Sequence, residues 1–135
     1  MLHDARAKEV AAWLSRADQD LRAAKVDLGV SPPLLADAAF HCQQAVEKAL
    51  KALLTHHDHL FRKTHDIGEL ALACLEHEPS LEALLRVSAP LTEYAWRFRY
   101  PGEVFEPDRR EVEDALEVAH RVVGEVRMTT GGGPV

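Results

Sequence analysis

A chain of 135 residues has the usual length of a single domain and can bury a hydrophobic core. Its composition, 47% hydrophobic and 28% charged, fits a globular protein and excludes a disordered one. The net charge of −6 argues against a broad, non-specific nucleic-acid surface, which needs a basic field. Because no apolar run approaches the ~20 residues of a membrane-spanning helix and no secretory signal opens the chain, we expect a cytoplasmic protein without a membrane partner.

The first predicted element is a long helix over about residues 4–28, in which apolar residues recur at steps of three and four. Trp13 lies beside this apolar stripe, and we expect it to anchor the core or an interface. A turn at residues 31–33, which contain two prolines, leads to a central helix over about residues 34–56. The same three-and-four spacing of apolar residues predicts the buried face of this second helix.

The polar face of the central helix carries two glutamines, a carboxylate and two lysines instead of simple charge alternation. These residues are Gln43, Gln44, Glu47, Lys48 and Lys51. Two interpretations are open: a solvated face, or a surface that contacts a nucleotide, an RNA or a second subunit. Glu47 and Lys51 have the favourable i,i+4 order, which contributes ~0.3 kcal/mol on an exposed helix.

A histidine-rich segment without periodicity follows the central helix and is predicted to be a loop. Its four histidines are His56, His57, His59 and His65. Imidazole groups bind transition metals, but this spacing matches no closed zinc pattern and a loop is a poor preorganised site. We therefore expect ordinary polar histidines here and no metal site.

Two later helices are predicted to begin at Asp66 and at Asp108, because each is followed three residues later by a glutamate, as in a capping box. Between them, a helix is predicted to start at Pro79 and to kink or break at Pro90. No segment alternates with period two, so the sequence predicts no strand.

These elements predict an all-α fold, a five-helix up-and-down bundle over residues 1–128, followed by a flexible tail over residues 129–135. Cys42 and Cys74 lie in apolar helical patterns without CxxC spacing. We expect both to be buried free thiols.

Residues 43–51, 63–66 and 97–102 are three segments that supply the groups needed to hold a phosphate and stack a base. These groups are guanidinium forks, an ammonium, an imidazole and aromatic faces. The structural alternative is that Arg97 and Arg99 cap the fourth helix and pair with Glu47, while Tyr100 and Pro101 only form a turn. The predicted nucleotide- or partner-binding residues are Gln43, Gln44, Glu47, Lys48, Lys51, Lys63, His65, Arg97, Arg99 and Tyr100.

Four segments in this order resemble the HEPN family (higher eukaryotes and prokaryotes nucleotide-binding domain), and the resemblance covers nearly the whole chain. The segments are residues 13–21, 40–52, 63–67 and 99–102. The resemblance implies a small helical bundle that forms a homodimer. It also implies a minimal nucleotidyltransferase as partner, encoded beside or fused to the domain in a toxin–antitoxin pair.

Many HEPN relatives are metal-independent ribonucleases whose active sites form across the dimer and use an Arg-x(4–6)-His motif. No arginine of this chain is followed by histidine at that spacing, so the sequence identifies no catalytic residue. We therefore expect a non-catalytic module, without a cofactor, that binds a nucleotide, an RNA or a protein partner. The alternative is a divergent metal-independent ribonuclease toxin.

Overall fold

The computed structural model describes residues 2–98, 101 and 106–131, and every regular element in these ranges is helical. The α-helices are α1 (Leu2–Gly29), α2 (Leu35–His56), α3 (Ile67–Leu75), α4 (Glu82–Ser88) and α5 (Arg109–Thr130). Two 3-10 segments, Pro79–Leu81 and Ala89–Ala95, flank α4. The prediction of an all-α bundle with five helices is confirmed.

Both predicted capping residues start their helices. The Asp66 side chain accepts a hydrogen bond from the Glu69 backbone N–H at 3.2 Å, and Asp108 accepts one from the Glu111 backbone N–H at 2.9 Å. Each bond satisfies one of the N–H groups that a helix leaves without an intrahelical partner, which explains why α3 and α5 begin there.

The predicted break at Pro90 is also present. The α-helical geometry of α4 ends at Ser88, and the chain continues as a 3-10 segment because proline cannot donate the helical backbone hydrogen bond. At the other end, α5 continues through Thr130, two residues into the predicted tail, and stops at Gly131, whose φ of 70° suits glycine. The rest of that tail, residues 132–135, lies outside the described residues.

Helix α2 is the centre of the bundle, because α1, α3, α5 and the second 3-10 segment all pack against it. This packing covers the polar face as well as the apolar one: Gln43 is 0% exposed, Glu47 is 3% exposed and Lys51 is 8% exposed. The structure thus departs from the solvated face considered from the sequence. A single helix's periodicity does not reveal how many neighbours surround it.

Several smaller predictions have clear outcomes. Cys42 and Cys74 are buried free thiols, and burial raises the pKa of each to about 12. Trp13 is half-buried against the core and makes an edge-to-face contact with Phe61, with ring centroids 6.4 Å apart. None of the helices described combines the length and apolar character needed to cross a membrane.

Candidate functional site

The buried carboxylate of Glu47 organises the polar groups of α2. Its Oε1 accepts hydrogen bonds from Gln43 Nε2 at 3.1 Å and from His65 Nδ1 at 2.7 Å. Its Oε2 accepts one from Lys51 Nζ at 2.9 Å. Gln43, Glu47 and Lys51 are spaced by four residues, so one face of the helix brings all three together.

His65 reaches this carboxylate from the segment before α3. Gln43 Nε2 donates a second hydrogen bond, at 3.2 Å, to the backbone carbonyl of His65, and therefore holds that segment against α2. Gln44 Nε2 donates to Gln43 Oε1 at 2.7 Å, so the amide oxygen of the buried Gln43 side chain also has a partner. Gln43, Gln44, Glu47, Lys51 and His65 form one hydrogen-bonded group, called here the Glu47 cluster.

Three donors keep Glu47 ionised. Burial alone raises the pKa of a carboxyl group, but the hydrogen bonds from His65, Lys51 and Gln43 outweigh it, so the pKa of Glu47 is lowered. A carboxylate only accepts hydrogen bonds, and the Nδ1 of His65 must therefore carry a proton. The side chain of His65 is 70% exposed, which leaves its Nε2 available at the protein surface.

Lys51 serves the interior of this cluster. Its ammonium lies 5.5 Å from the ring centroid of Trp13 and 6.0 Å from that of Phe61, in addition to its ion pair with Glu47. These aromatic faces stabilise a cation that is largely removed from water. Lys51 therefore balances the charge of Glu47 beneath the surface, and its ammonium is poorly placed to contact an external ligand.

Lys48 belongs to a separate contact between α1 and α2. Its Nζ lies 2.6 Å from Oδ2 of Asp20, and Nδ1 of His41 lies 2.8 Å from the other oxygen of the same carboxylate. Asp20 is buried, so its two oxygens are both satisfied by α2. This arrangement fixes the pairing of the first two helices.

The HEPN domain model matches residues 10–129, from α1 to α5. The chain belongs to the HEPN domain family. At the level of that family, this HEPN domain is a nucleotide- or RNA-related module. The resemblance inferred from the sequence is thereby confirmed. Neither the curated proteins nor the solved structures gave a match to the chain.

Asp27 of the HEPN domain is another buried carboxylate, and its pKa changes in the direction opposite to that of Glu47. The pKa of Asp27 is raised to about 6, first by burial, then by the hydrogen bond and the negative charge of Asp37, with a smaller opposing effect from His41. Oδ2 of Asp27 is buried without a hydrogen-bond partner. Sequence reasoning missed the Asp27–Asp37 pair, whose members belong to different helices, α1 and α2; the position of Asp27 beside the apolar stripe of α1 was the one local signal.

The cationic residues predicted outside α2 have different environments. Lys63 is exposed, and no described carboxylate pairs with it. Arg97 Nη1 lies 2.5 Å from Oε1 of Glu93, and its guanidinium lies 5.1 Å from the ring centroid of Phe98. The suggested pairing of Arg97 with Glu47 was wrong, because Glu93 takes that role. The predicted residues Arg99 and Tyr100 lie outside the described residues.

Among the described residues, two groups of side chains place potential metal ligands within 4.8 Å of one another: Asp27, Asp37 and His41, and separately His59, Glu76 and His77. The loop histidines considered from the sequence are therefore divided, since His65 contacts Glu47 whereas His59 contacts His77. His77 was missed because it follows α3, far along the chain from His59.

Proposed function

We propose that this HEPN domain is a non-catalytic nucleotide-binding module in which His65 Nε2 and the Lys63 ammonium contact a phosphate group. The observation that supports this proposal best is the 2.7 Å contact between the buried carboxylate of Glu47 and the exposed ring of His65. It joins a buried carboxylate of the central helix to a side chain that faces solvent.

The Glu47–His65 contact suits the binding of an anion. With Nδ1 bonded to a carboxylate, the imidazolium form of His65 directs its second N–H outward, where it can donate a charge-assisted hydrogen bond to a phosphate oxygen. Glu47 also fixes the ring orientation, so less conformational entropy is lost when the ligand binds.

The neighbouring cations differ in availability. Arg62 donates both Nε and Nη2 to the carboxylate of Glu69, at 2.7 to 2.9 Å, so its charge is already engaged. Lys63 follows it without a described carboxylate partner and lies two residues from His65. We therefore assign the phosphate contacts to Lys63 and His65, and a secondary role to Arg97.

Titration of fluorescently labelled ATP tests this assignment. A charge-assisted hydrogen bond contributes about 1.5–3 kcal/mol, so His65→Ala should weaken binding at least about tenfold. Lys63→Ala should act in the same direction. Lys8→Ala, which removes an exposed lysine of α1, is the matched control and should bind like the parent. Equal affinity in the parent and His65→Ala would contradict the proposal, and a loss in Lys8→Ala would indicate non-specific attraction.

We further propose that the domain forms a homodimer and pairs with a minimal nucleotidyltransferase in a toxin–antitoxin arrangement. Support comes from the family membership together with the four sequence segments that carry the resemblance. Sedimentation of the purified chain tests the dimer. Co-purification with a nucleotidyltransferase encoded beside its gene tests the pair, and failure of the two proteins to associate would count against it.

A divergent ribonuclease is the second candidate, because a carboxylate-held imidazole with a free Nε2 is also suited to proton transfer. Cleavage of RNA by its own 2′-hydroxyl needs one group that accepts the hydroxyl proton and another that protonates the leaving oxygen. His65 can fill either role. Incubation of the purified domain with RNA and EDTA decides: cleavage that is lost in His65→Ala supports the enzyme, and intact RNA supports the binding module.

A further inference from the structure

The turn after α2 and the turn after α3 meet at one place on the surface. His59 lies just beyond the end of α2, and Glu76 and His77 lie just beyond the end of α3. The His77 backbone N–H donates to the Cys74 carbonyl at 3.0 Å, and the His59 backbone N–H donates to the Leu54 carbonyl at 2.9 Å. Both turns are therefore fixed by backbone hydrogen bonds to the preceding helix.

Three ligating atoms converge between these turns. Nδ1 of His59 lies 2.8 Å from Nε2 of His77 and 3.7 Å from Oε2 of Glu76, and all three atoms fall within 4.8 Å of one another. Ligands held about 2.1 Å from a tetrahedral zinc ion lie roughly 3.4 Å apart. The observed separations bracket that value, so small side-chain rotations suffice to place one ion between the three atoms.

The donor set also has a chemical preference. We propose that His59, Glu76 and His77 bind one divalent transition-metal ion of the zinc type. Two imidazoles and one carboxylate suit zinc, nickel and copper, whereas magnesium and calcium prefer oxygen ligands. The side chain of Glu76 is 67% exposed and that of His59 is 27% exposed, so an ion can enter from solvent and retain a water ligand.

The ring of His77 is held in place by a neighbour that does not itself bind the ion. His57 stacks on His77 with ring centroids 4.4 Å apart and an interplanar angle of 7°. Nε2 of His57 lies 3.2 Å from Oε1 of Glu78, which anchors the stacking ring in turn. Partners of this kind orient ligands and strengthen metal sites.

The dipoles of two helices also favour a cation between these turns. Because the C-terminal ends of α2 and α3 both lie at these turns, the partial negative charge of each helix end faces the same region and favours a cation. Such a site links two turns that belong to different helices, and metal binding to the folded form alone stabilises the fold.

Isothermal titration calorimetry with Zn²⁺ alone tests the proposal on the full chain. We expect one ion per chain for the parent. The affinity should fall at least about 100-fold in His77→Ala and in His59→Ala, because each variant loses a direct ligand and loss of an outer partner alone costs 10–100-fold. His57→Ala, which removes the stacking ring, should reduce the affinity by a smaller factor. His120→Ala, which removes an exposed imidazole from α5, is the matched control and should bind like the parent.

A thermal melt with and without Zn²⁺ gives an independent readout. The ion should raise the unfolding midpoint of the parent and of His120→Ala, and should leave that of His77→Ala unchanged. Absence of one-to-one binding by the parent, or parental affinity in His77→Ala, would overturn the site. One ion shared between two chains, seen as metal-dependent dimerisation in sedimentation, would also overturn it.

Discussion

Glu47 and Asp27 are both buried carboxylates, with 3% and 8% of their surfaces exposed, yet their pKa values move in opposite directions. Burial raises both. Glu47 accepts hydrogen bonds from three donors, which reverse the effect, whereas Asp27 faces a second carboxylate and has one unpartnered oxygen. Burial raises the pKa of both carboxyl groups, and the hydrogen-bond donors around each one decide whether that rise is reversed, as in Glu47, or kept, as in Asp27.

The two residues therefore contribute to stability in opposite pH ranges. Because the folded pKa of Glu47 is lowered, its stabilisation is present above the ordinary pKa of glutamate and is lost as the pH falls through the folded value. The folded pKa of Asp27 is raised from 3.8 to about 6, so the folded form binds the proton more tightly. Stability from Asp27 is thus greatest in acid and falls as the pH rises from about 4 to 6.

The largest effect is expected for Glu47→Leu. This change leaves the Lys51 ammonium buried without a counter-ion, and breaking a buried pair in this way costs about 3–5 kcal/mol of the free energy of unfolding. Urea denaturation at neutral pH measures it. A loss below about 1 kcal/mol would mean that water reaches Lys51 and that the pair is not truly buried.

A double-mutant cycle sharpens that result. Lys51→Met alone removes the cation and leaves Glu47 with two donors, His65 and Gln43. Combining it with Glu47→Leu replaces both charges with apolar groups, and such replacements are often close to neutral. The double variant should therefore lose much less stability than the sum of the two single variants. An additive loss would show that the two charges do not interact.

The next effect is expected for Asp27→Asn, which imitates the protonated carboxyl at every pH. We expect about 1–3 kcal/mol of extra stability at pH 8 and no difference below pH 4, because the parent must ionise a buried carboxyl group that also faces Asp37. His41 is the facing group that opposes this effect. Unfolding at pH 4, 6 and 8 measures the difference. A variant that is less stable than the parent at pH 8 would contradict the raised pKa of Asp27.

Much of the helical scaffold that carries Glu47 and Asp27 was predictable from the sequence, because the signals for its helices are local. The caps at Asp66 and Asp108, the break at Pro90 and the limits of α1 and α2 depend on residues only a few positions apart. The burial of Glu47 was not predictable, since it depends on helices that come from elsewhere in the chain. The contact between His65 and Glu47 joins residues 18 positions apart, and that between His59 and His77 does the same.

The side-chain partners within the site were equally unpredictable from the sequence. His65 and Glu47 were both in the predicted set, but nothing in the sequence indicated that one orients the other. Lys48 was placed in the same set by helical spacing, although its ammonium forms an ion pair with Asp20 of α1 and not with Glu47. Charge and spacing therefore identified the residue types, and only the packing of α1 and α3 against α2 assigned each side chain its partner.

A smaller effect is expected for His65→Ala. The ring is mostly exposed, so its loss removes one hydrogen bond from Glu47 and costs about 1 kcal/mol of stability. With one donor fewer, the pKa of Glu47 should rise, and the loss of stability in acid should begin at a higher pH than in the parent. Unfolding between pH 3 and 7 measures both effects. If the stability of the variant falls over the same acidic pH range as that of the parent, then Gln43 and Lys51 alone keep Glu47 ionised.

Asp37→Asn should change stability least. It tests how much Asp37 contributes to the raised pKa of Asp27. The side chain of Asp37 is 48% exposed, so the substitution itself should alter the free energy of unfolding by less than about 0.5 kcal/mol at pH 4. Removing its charge should lower the pKa of Asp27, but not to 3.8, because burial is the larger cause and remains. Carboxyl ¹³C chemical shifts of Asp27 followed by NMR give that pKa directly. A pKa equal to that of the parent would assign the whole shift to burial, and the opposite behaviour of Glu47 and Asp27 would then depend on the donors of Glu47 alone.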